Sequence, residues 1–287
     1  MPLIDTTPAR YTGPMGTLYL VGTPIGNPED VTLRALRVLR DVSLVAAEDT
    51  RTARRLLALH GIRAPLLSYN DHNKAARIPR ILEVLDAADV ALVSEAGMPA
   101  VSDPGRDLVA AAAARGVRVV PVPGPSAVLA ALAVSGLPAR EFTYLGFLPR
   151  RSGERRRLFQ RLAAEGRTAV AFESPRRLRA ALADALAVLG DRRVAVCREL
   201  TKTHEEVFRG TISQALDRFP EPLGEITLVL EGAPAPAPTT GGVPEEVLAE
   251  LRRLKAQGLS ARDAAAGLAV RTGLPRRALY QAWHRIR

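Results

Sequence analysis

The side chains able to do acid–base or charge chemistry gather where apolar runs end. The stretch "AAEDTRTARR" (46–55) sets Glu48, Asp49 and Arg51 just past such a run, and "SYNDHNKAAR" (68–77) places His72 and Asn73 in a loop before a helix. "AFESPRR" (171–177) puts Glu173 at a run's end with Arg176 in the next turn, and "CRELTKTHEE" (197–206) gathers Glu199, Lys202 and Glu205. Carboxylates, an imidazole and a lysine can move protons or hold charge once their surroundings tune them. Each also has a plainer reading. Asp49, Thr50 or Asn73 can cap a helix, and a lysine among carboxylates can be an ion pair. Other chemistries are excluded more firmly. No His/Cys group has metal-ligand spacing and no Gly-x-Ser-x-Gly elbow occurs, so no metal is expected. "VGTPIGN" (21–27) is neither a dinucleotide fingerprint nor a P-loop, and "LVSEAGMPAVSDPG" (92–105) lacks the lysine and glycine spacing of a phosphate cradle.

The elements that must carry these residues alternate along the chain. Apolar, β-branched runs at 17–22, 42–48, 89–96 and 117–122 read as strands, each followed by a segment of helical period. The helix over "PEDVTLRALRVLRD" has acids in its first turn, and "TRTARRLLALHG" ends at Gly61. In "DPGRDLVAAAAARG", Asp103 sits as N-cap, Pro104 at the first helical position and Gly116 at the stop. Strands separated by helices predict a mainly parallel sheet covered on both faces, with ligands at the strands' carboxyl ends. A second set follows Leu137: strands at 142–147, 168–173, 192–199 and 224–232, a basic helix at 151–165, and a hairpin arm in "HEEVFRGT". The expected division is a flexible tail (1–15, with Met15 a second candidate start), α/β domains at 16–136 and 137–232, a Pro/Gly-rich linker (233–242), and a helical module of helix-turn-helix type (243–287).

The chain has 287 residues and a net charge of +10, and the excess is localised. Residues 149–161 hold six arginines and one glutamate, and residues 243–287 hold nine Lys/Arg against four acids, so these two segments carry all of it. Such concentration points to a polyanion, with nucleic acid the first candidate; a solvated arginine-rich surface is the plain alternative. The single cysteine, Cys197, permits no internal disulfide, which fits a reducing compartment, and no apolar run is long enough to span a membrane. The N-terminus lacks the apolar core of a signal peptide, so a cytoplasmic location is expected.

Seven motifs in order, "GTLYLVGTPIGNPEDVTLRAL", "AAEDTR", "SEAGMPAVSDPG", "VPGPSAVLAAL", "FLPRR", "FESPRRL" and "RELTKTHEE", closely resemble the bacterial ribosomal RNA small-subunit methyltransferase I family. That family is the RNA-modifying branch of the tetrapyrrole methylase-like superfamily. The resemblance implies two α/β domains with a cofactor cleft between them, a homodimer, and S-adenosylmethionine as methyl donor. It implies 2′-O-methylation of a cytidine ribose in the decoding region of 16S ribosomal RNA, free or in the small ribosomal subunit. By motif position it places Pro24, Ile25, Ala96, Gly97, Met98, Val101, Ser126, Ala127, Glu173 and Leu200 against the cofactor. Many family members carry aspartate where this chain has Glu95. The 2′-hydroxyl is a weak acid, so a base should help; Glu48, Asp49, His72 and Lys202 are the candidates. Arg150, Arg151, Arg155, Arg156 and Arg157, with the C-terminal module, would contact phosphates. Two rivals stand beside this reading: a methyltransferase of tetrapyrrole precursors, and an RNA-binding assembly factor without catalysis.

Overall fold

The computed structural model describes residues 15–234 and 243–286. The tail expected before Met15 and most of the expected linker lie outside the described residues. Contacts divide the chain into two units, one through Gly232 and one from Ala233.

In the first unit, short apolar runs form a five-stranded parallel sheet: β1 (Thr17–Val21), β2 (Leu44–Ala47), β3 (Leu66–Ser68), β4 (Val90–Val93) and β5 (Arg118–Val122), in the order β3-β2-β4-β1-β5. All four residues of β4 are buried, as a strand covered on both faces requires. On one face pack α1 (Leu33–Asp41) and α2 (Thr50–Leu59) through Ala35, Leu39, Ala53 and Leu57. On the other pack α3 (Lys74–Leu85) and α4 (Arg106–Ala114) through Ile81, Leu85, Leu108 and Ala112. β3 carries too few residues to show a period and escapes the sequence reading.

Two helix starts differ from expectation. Pro28–Asp30 forms a separate 3-10 turn, and α1 begins only at Leu33, capped by the Thr32 hydroxyl accepting from the Ala35 N–H. Asp103 does not cap α4. That helix begins at Arg106 behind Gly105, whose φ is 152°, with no side-chain cap. Asp49 does cap α2, accepting from the Arg51 N–H at 2.7 Å, whereas the Asn73 side chain accepts from the Asn70 N–H and caps nothing in α3.

The second sheet is mixed, in the order β6-β7-β10-β8-β9. It comprises β6 (Phe142–Phe147), β7 (Thr168–Glu173), β8 (Arg193–Arg198), β9 (Glu206–Thr211) and β10 (Ile226–Leu230). β6 and β7 are parallel, while β10 runs antiparallel to β7 and β8, and β8–β9 is the expected hairpin. One face is covered by α6 (Ser152–Leu162), α7 (Pro175–Leu189) and α8 (Ile212–Arg218) through Phe159, Leu178, Leu182 and Ile212. The other is covered by α5 (Ala127–Ser135), whose Val128, Ala131 and Leu132 meet Val170, Ala195 and Val229. Thus α5 follows the first sheet in the chain but packs on the second. Its apolar residues run all round the helix, which suits a helix set between two surfaces rather than on one.

The second unit is three helices: α9 (Glu245–Ala256), α10 (Ala261–Thr272) and α11 (Arg276–Arg285). They close on a core of Leu251, Leu268, Leu279 and Trp283. The Ser260 hydroxyl caps α10, and Lys255 Nζ donates to the Ile286 carbonyl at 2.8 Å beyond the end of α11.

The basic helix α6 holds a buried charge. Arg155 is 3% exposed and pairs with Asp184 of α7, which also accepts from Arg156 Nε at 2.7 Å and from the Ser152 hydroxyl at 2.9 Å. Burial alone would raise the Asp184 pKa; the hydrogen bonds from Arg156, Ser152 and Arg155 outweigh it and hold the carboxyl below 3.8. Removing one partner of a buried pair strands the other charge. Asp184→Ala should therefore destabilise the α/β unit by about 3–5 kcal/mol in urea denaturation. Because folding lowers this pKa, the pair's contribution should be complete above pH 3.8 and lost as pH falls below it.

Candidate active site

The carboxyl ends of β1, β4 and β5 converge because two glycines lie back to back. A Cβ on Gly22 would stand 2.7 Å from Met98 Sδ and 2.8 Å from Gly124 Cα; one on Gly124 would stand 2.9 Å from the Gly22 backbone. Neither position admits a side chain without moving backbone. The approach lets Thr23 and Gly97 form an isolated antiparallel bridge, with Thr23 N–H donating at 2.9 Å and Gly97 N–H at 3.0 Å. The same loop reaches the second sheet. Gly26 lies against Thr201 and Lys202, and the Asn27 N–H donates to Thr201 Oγ1 at 2.9 Å. Ile25, Ala127, Val128 and Leu200 form one apolar cluster behind it. Pro24, Ile25, Ala96, Gly97, Met98, Ala127 and Leu200 thus lie in or behind the loops that meet here, and Val101 stands exposed on the β4 loop. A cavity of about 300 Å³ opens beside this loop, walled by Leu39, Val45 and Leu57 and rimmed by Glu95 and Lys202.

Two other residues expected against the cofactor are otherwise engaged. The Ser126 hydroxyl caps α5, accepting from the Leu129 N–H. Glu173 is fully buried at the end of β7, paired with Arg177 and accepting from the Ser174 N–H, while its Oε2 has no partner. Burial raises its pKa against these donors.

The loop from Ser94 to Gly105 is strained. Gly97, Ala100, Ser102 and Gly105 have φ of 81°, 67°, 65° and 152°. A left-handed non-glycine residue costs about 1–3 kcal/mol, and the loop holds two. The result is that Asp103 turns inward. It lies near Glu48 and Glu95, and burial first, then the Glu48 charge, push its pKa up to about 6. Glu48 is likewise raised, by burial and then by the charges of Glu95, Asp71 and Asp49, against the Glu95 N–H that donates to it at 3.2 Å. Beside them the Ser102 and Tyr144 hydroxyls lie 2.7 Å apart, and the Tyr144 ring packs edge-on to Phe172. Burial, chiefly, also raises the Tyr144 pKa.

The other basic candidates sort differently. Arg51 hydrogen-bonds Asp49 and lowers its pKa to about 2. His72 is exposed before α3, and among the described residues no hydrogen bond or ion pair joins its ring to the carboxylates. Lys202 Nζ stands 3.0 Å from both Glu199 and Glu225. Burial opposes its charge, but these two carboxylates outweigh burial and raise its pKa, so it stays an ammonium and cannot accept a proton at neutral pH.

The solved structure of a uroporphyrin-III C-methyltransferase from Thermus thermophilus, complexed with S-adenosyl homocysteine, superposes with a TM-score of 0.55 at 22% identity, over 75% of this chain and 97% of that one. That likeness shows the fold. Residues 17–216 match the Tetrapyrrole (Corrin/Porphyrin) Methylases, and residues 241–287 match the RsmI C-terminal HTH domain. A ribosomal RNA small subunit methyltransferase I from Thermotoga maritima is 52% identical over 76% of this chain and 99% of its own length. One from Halalkalibacterium halodurans is 42% identical over 94% and 95%. The chain belongs to the ribosomal RNA small subunit methyltransferase I family.

Within this family member, the arginine run needs one correction. Arg150, Arg151 and Arg157 are exposed, and Arg156 is exposed while paired to Asp184. Arg155 is buried in that pair and in bonds to the Pro149 and Arg150 carbonyls, so it is not free for phosphate. Sequence reasoning also missed Gly22, Gly124, Ser94, Tyr144 and Asp103. The glycines were visible as strand-end residues beside "TP" and "PS". Asp103 was hidden because Asp-Pro ahead of a helix reads as a cap. Gly124→Ala should lower stability by about 1–3 kcal/mol and disorder the three loops. Gly153→Ala, in α6 with open space around it, should be neutral or stabilising by about 0.5–1 kcal/mol; urea denaturation of both variants checks the contrast.

Proposed function

We propose that this chain transfers a methyl group from S-adenosylmethionine to the 2′-oxygen of a cytidine ribose in the decoding region of 16S ribosomal RNA. The observation that carries the reading is membership of the ribosomal RNA small subunit methyltransferase I family across nearly the whole chain. The local chemistry fits the donor. S-adenosylmethionine supplies a methyl group already activated on a sulfonium cation, so the protein must chiefly align and desolvate it. Gly22 and Gly124 pack back to back and bring the loops together, and Gly97, where a Cβ would come no nearer than 3.6 Å to Ile25, leaves its backbone open to close approach by a ligand. Glu48, Glu95 and Asp103 surround the β4 loop with negative potential, which favours a cation. Pro24, Ile25, Ala96, Gly97, Met98, Val101, Ala127 and Leu200, with the backbone of Ser126, would hold the donor; Glu173, fully buried beside Arg177, is not counted among these contacts.

Exposed Arg150, Arg151, Arg156 and Arg157 on or next to α6, and the cations of the C-terminal helices, would meet phosphates. A cytoplasmic homodimer completes the reading. Leu129 on α5 is 58% exposed although the helix is apolar all round, which supports cover by a second copy.

The test is incubation of small ribosomal subunits from a knockout strain with the purified chain and labelled donor. Label should be recovered as 2′-O-methylcytidine in 16S RNA; label on uroporphyrinogen alone, or none on any substrate, overturns the reading. Truncation at Pro234 should weaken RNA binding while leaving S-adenosylmethionine affinity by calorimetry within about two-fold, a change of under 0.5 kcal/mol. Replacing Arg150, Arg151 and Arg157 by alanine should flatten the slope of log K against log salt by about two.

A further inference from the structure

We propose that Phe147 is a stacking platform for an unpaired nucleobase of the RNA, and that the exposed arginines after it, Arg150 and Arg151, take the adjoining phosphates. This rests on the RNA substrate proposed above and gives it a contact surface at the edge of the site. A bulge in β6 carries the ring there. Tyr144 pairs with Val170 and Phe147 with Phe172, so three steps on β6 match two on β7. Residues three apart on a regular strand point to opposite faces. The extra residue instead brings both rings against Phe172, edge-on at 5.5 and 5.4 Å. Gly146, at φ 66°, makes the turn, and a Cβ there would come 3.3 Å from Ser102 Oγ of the β4 loop. The Tyr144 hydroxyl lies 2.7 Å from that same oxygen. Phe147 therefore follows directly on the contact between β6 and the β4 loop, and it is 60% exposed.

A single exposed apolar side chain is ordinary and by itself means nothing. What sets Phe147 apart is how firmly the backbone after it is held. The Leu148 N–H donates to the Phe172 carbonyl at 3.1 Å. The Leu148 carbonyl accepts from Arg177 Nη1 at 3.2 Å, and that guanidinium also pairs with buried Glu173. The next two carbonyls, of Pro149 and Arg150, both accept from Arg155 Nη1, at 3.1 and 3.3 Å, and Arg155 is itself held by Asp184. Three successive carbonyls thus end on guanidinium groups anchored in buried ion pairs. A ring carried on so fixed a segment has little freedom left to lose on binding, which favours an anchor. The neighbouring charge selects the partner. Residues 149–161 hold six arginines and one glutamate. Arg150, Arg151, Arg156 and Arg157 are exposed, and Arg151 meets Glu154 only at 3.7 Å on the open surface. An aromatic face followed by several cations and one acid is complementary to a base and its phosphates. Phe142 is also exposed, but it sits at the opposite end of β6 from Ser102 and the arginine run.

The experiment measures binding of the full chain and its variants to single-stranded oligocytidylate, to duplex RNA and to small ribosomal subunits from the knockout strain. The wild type should prefer the single strand to the duplex. Phe147→Ala should weaken single-strand and subunit binding by about 5- to 150-fold, the loss of one base stacked on an aromatic ring, and should erase that preference. The slope of log K against log salt should stay unchanged, because no charge is removed, whereas Arg150→Ala should flatten it by about 0.7. Phe147→Trp should keep the affinity, with fluorescence quenched by the oligocytidylate. Phe147→Leu, apolar but without a π face, should fail as alanine does. Thermal stability and S-adenosylmethionine affinity by calorimetry should match the wild type in every variant. A Phe147→Ala chain that binds the single strand as the wild type does, or a Phe147→Leu chain that restores binding, overturns the proposal while the function stands. So does a loss confined to S-adenosylmethionine affinity, or a change from dimer to monomer with RNA affinity kept, either of which gives the ring another occupant. Variants that bind RNA as expected in a chain that methylates no ribose would overturn the function and leave the platform.

Discussion

The close approach of Gly22 and Gly124 is the constraint on which the site depends. Three parallel strands deliver their loops to one place, but ordinary side chains would hold the backbones apart. With no Cβ on either glycine, Met98 packs over Gly22 and the Thr23–Gly97 bridge can close. The bridge fixes the β4 loop relative to β1. Gly26 repeats the device one turn later and admits Thr201 and Lys202 of the second sheet. Backbone contact, rather than side-chain recognition, therefore sets the distance between the two sheets' loops at this point.

Charge is handled in two opposite ways in this unit. Around the second sheet the buried and half-buried acids have a cation at hand: Asp184 with two arginines, Glu173 with Arg177, Glu199 with Lys202, and Glu206, the first residue of β9, with Arg198 and Arg218. At the β2 and β4 ends Glu48 and Asp103 face each other and Glu95 with no such partner among the described residues. A chain with 40 Lys/Arg does not lack cations to place there. Leaving carboxylates together disfavours their full ionisation and raises their pKa values, and it reserves negative potential for a ligand that carries positive charge.

Four of the five strands of the first sheet and its parallel character were legible from β-branched runs and helical periods, since both faces of that sheet are buried and those strands read as apolar; the three residues of β3 were too few to read. The family was legible because seven short motifs keep their order. What was not legible depends on contacts across the chain. Asp-Pro-Gly reads locally as a helix start, and only the contact of Ser102 with Tyr144, some forty residues away, shows the loop turned the other way. Arg155 reads as one basic residue among six, and only Asp184 on α7 reveals that it is buried. The position of α5 is of the same kind: its sequence is apolar on all sides, so it names no sheet, and packing on Val170 and Val229 decides.

The Arg155 case bears on how charge should be read for nucleic-acid binding. Pairing does not change net charge, so the long-range attraction of the basic segments for a polyanion is as the composition states. Close contact with phosphate is different, because it needs donors not already committed. Within α9 and α10, Arg252, Arg253 and Arg271 are each bonded to Glu245 or Glu250. These pairs are exposed on the arginine side and can exchange a carboxylate for a phosphate at small cost. The Arg155 pair cannot, since breaking it leaves Asp184 buried and charged. Steering and gripping therefore draw on different subsets of the same arginines, and only burial tells the subsets apart.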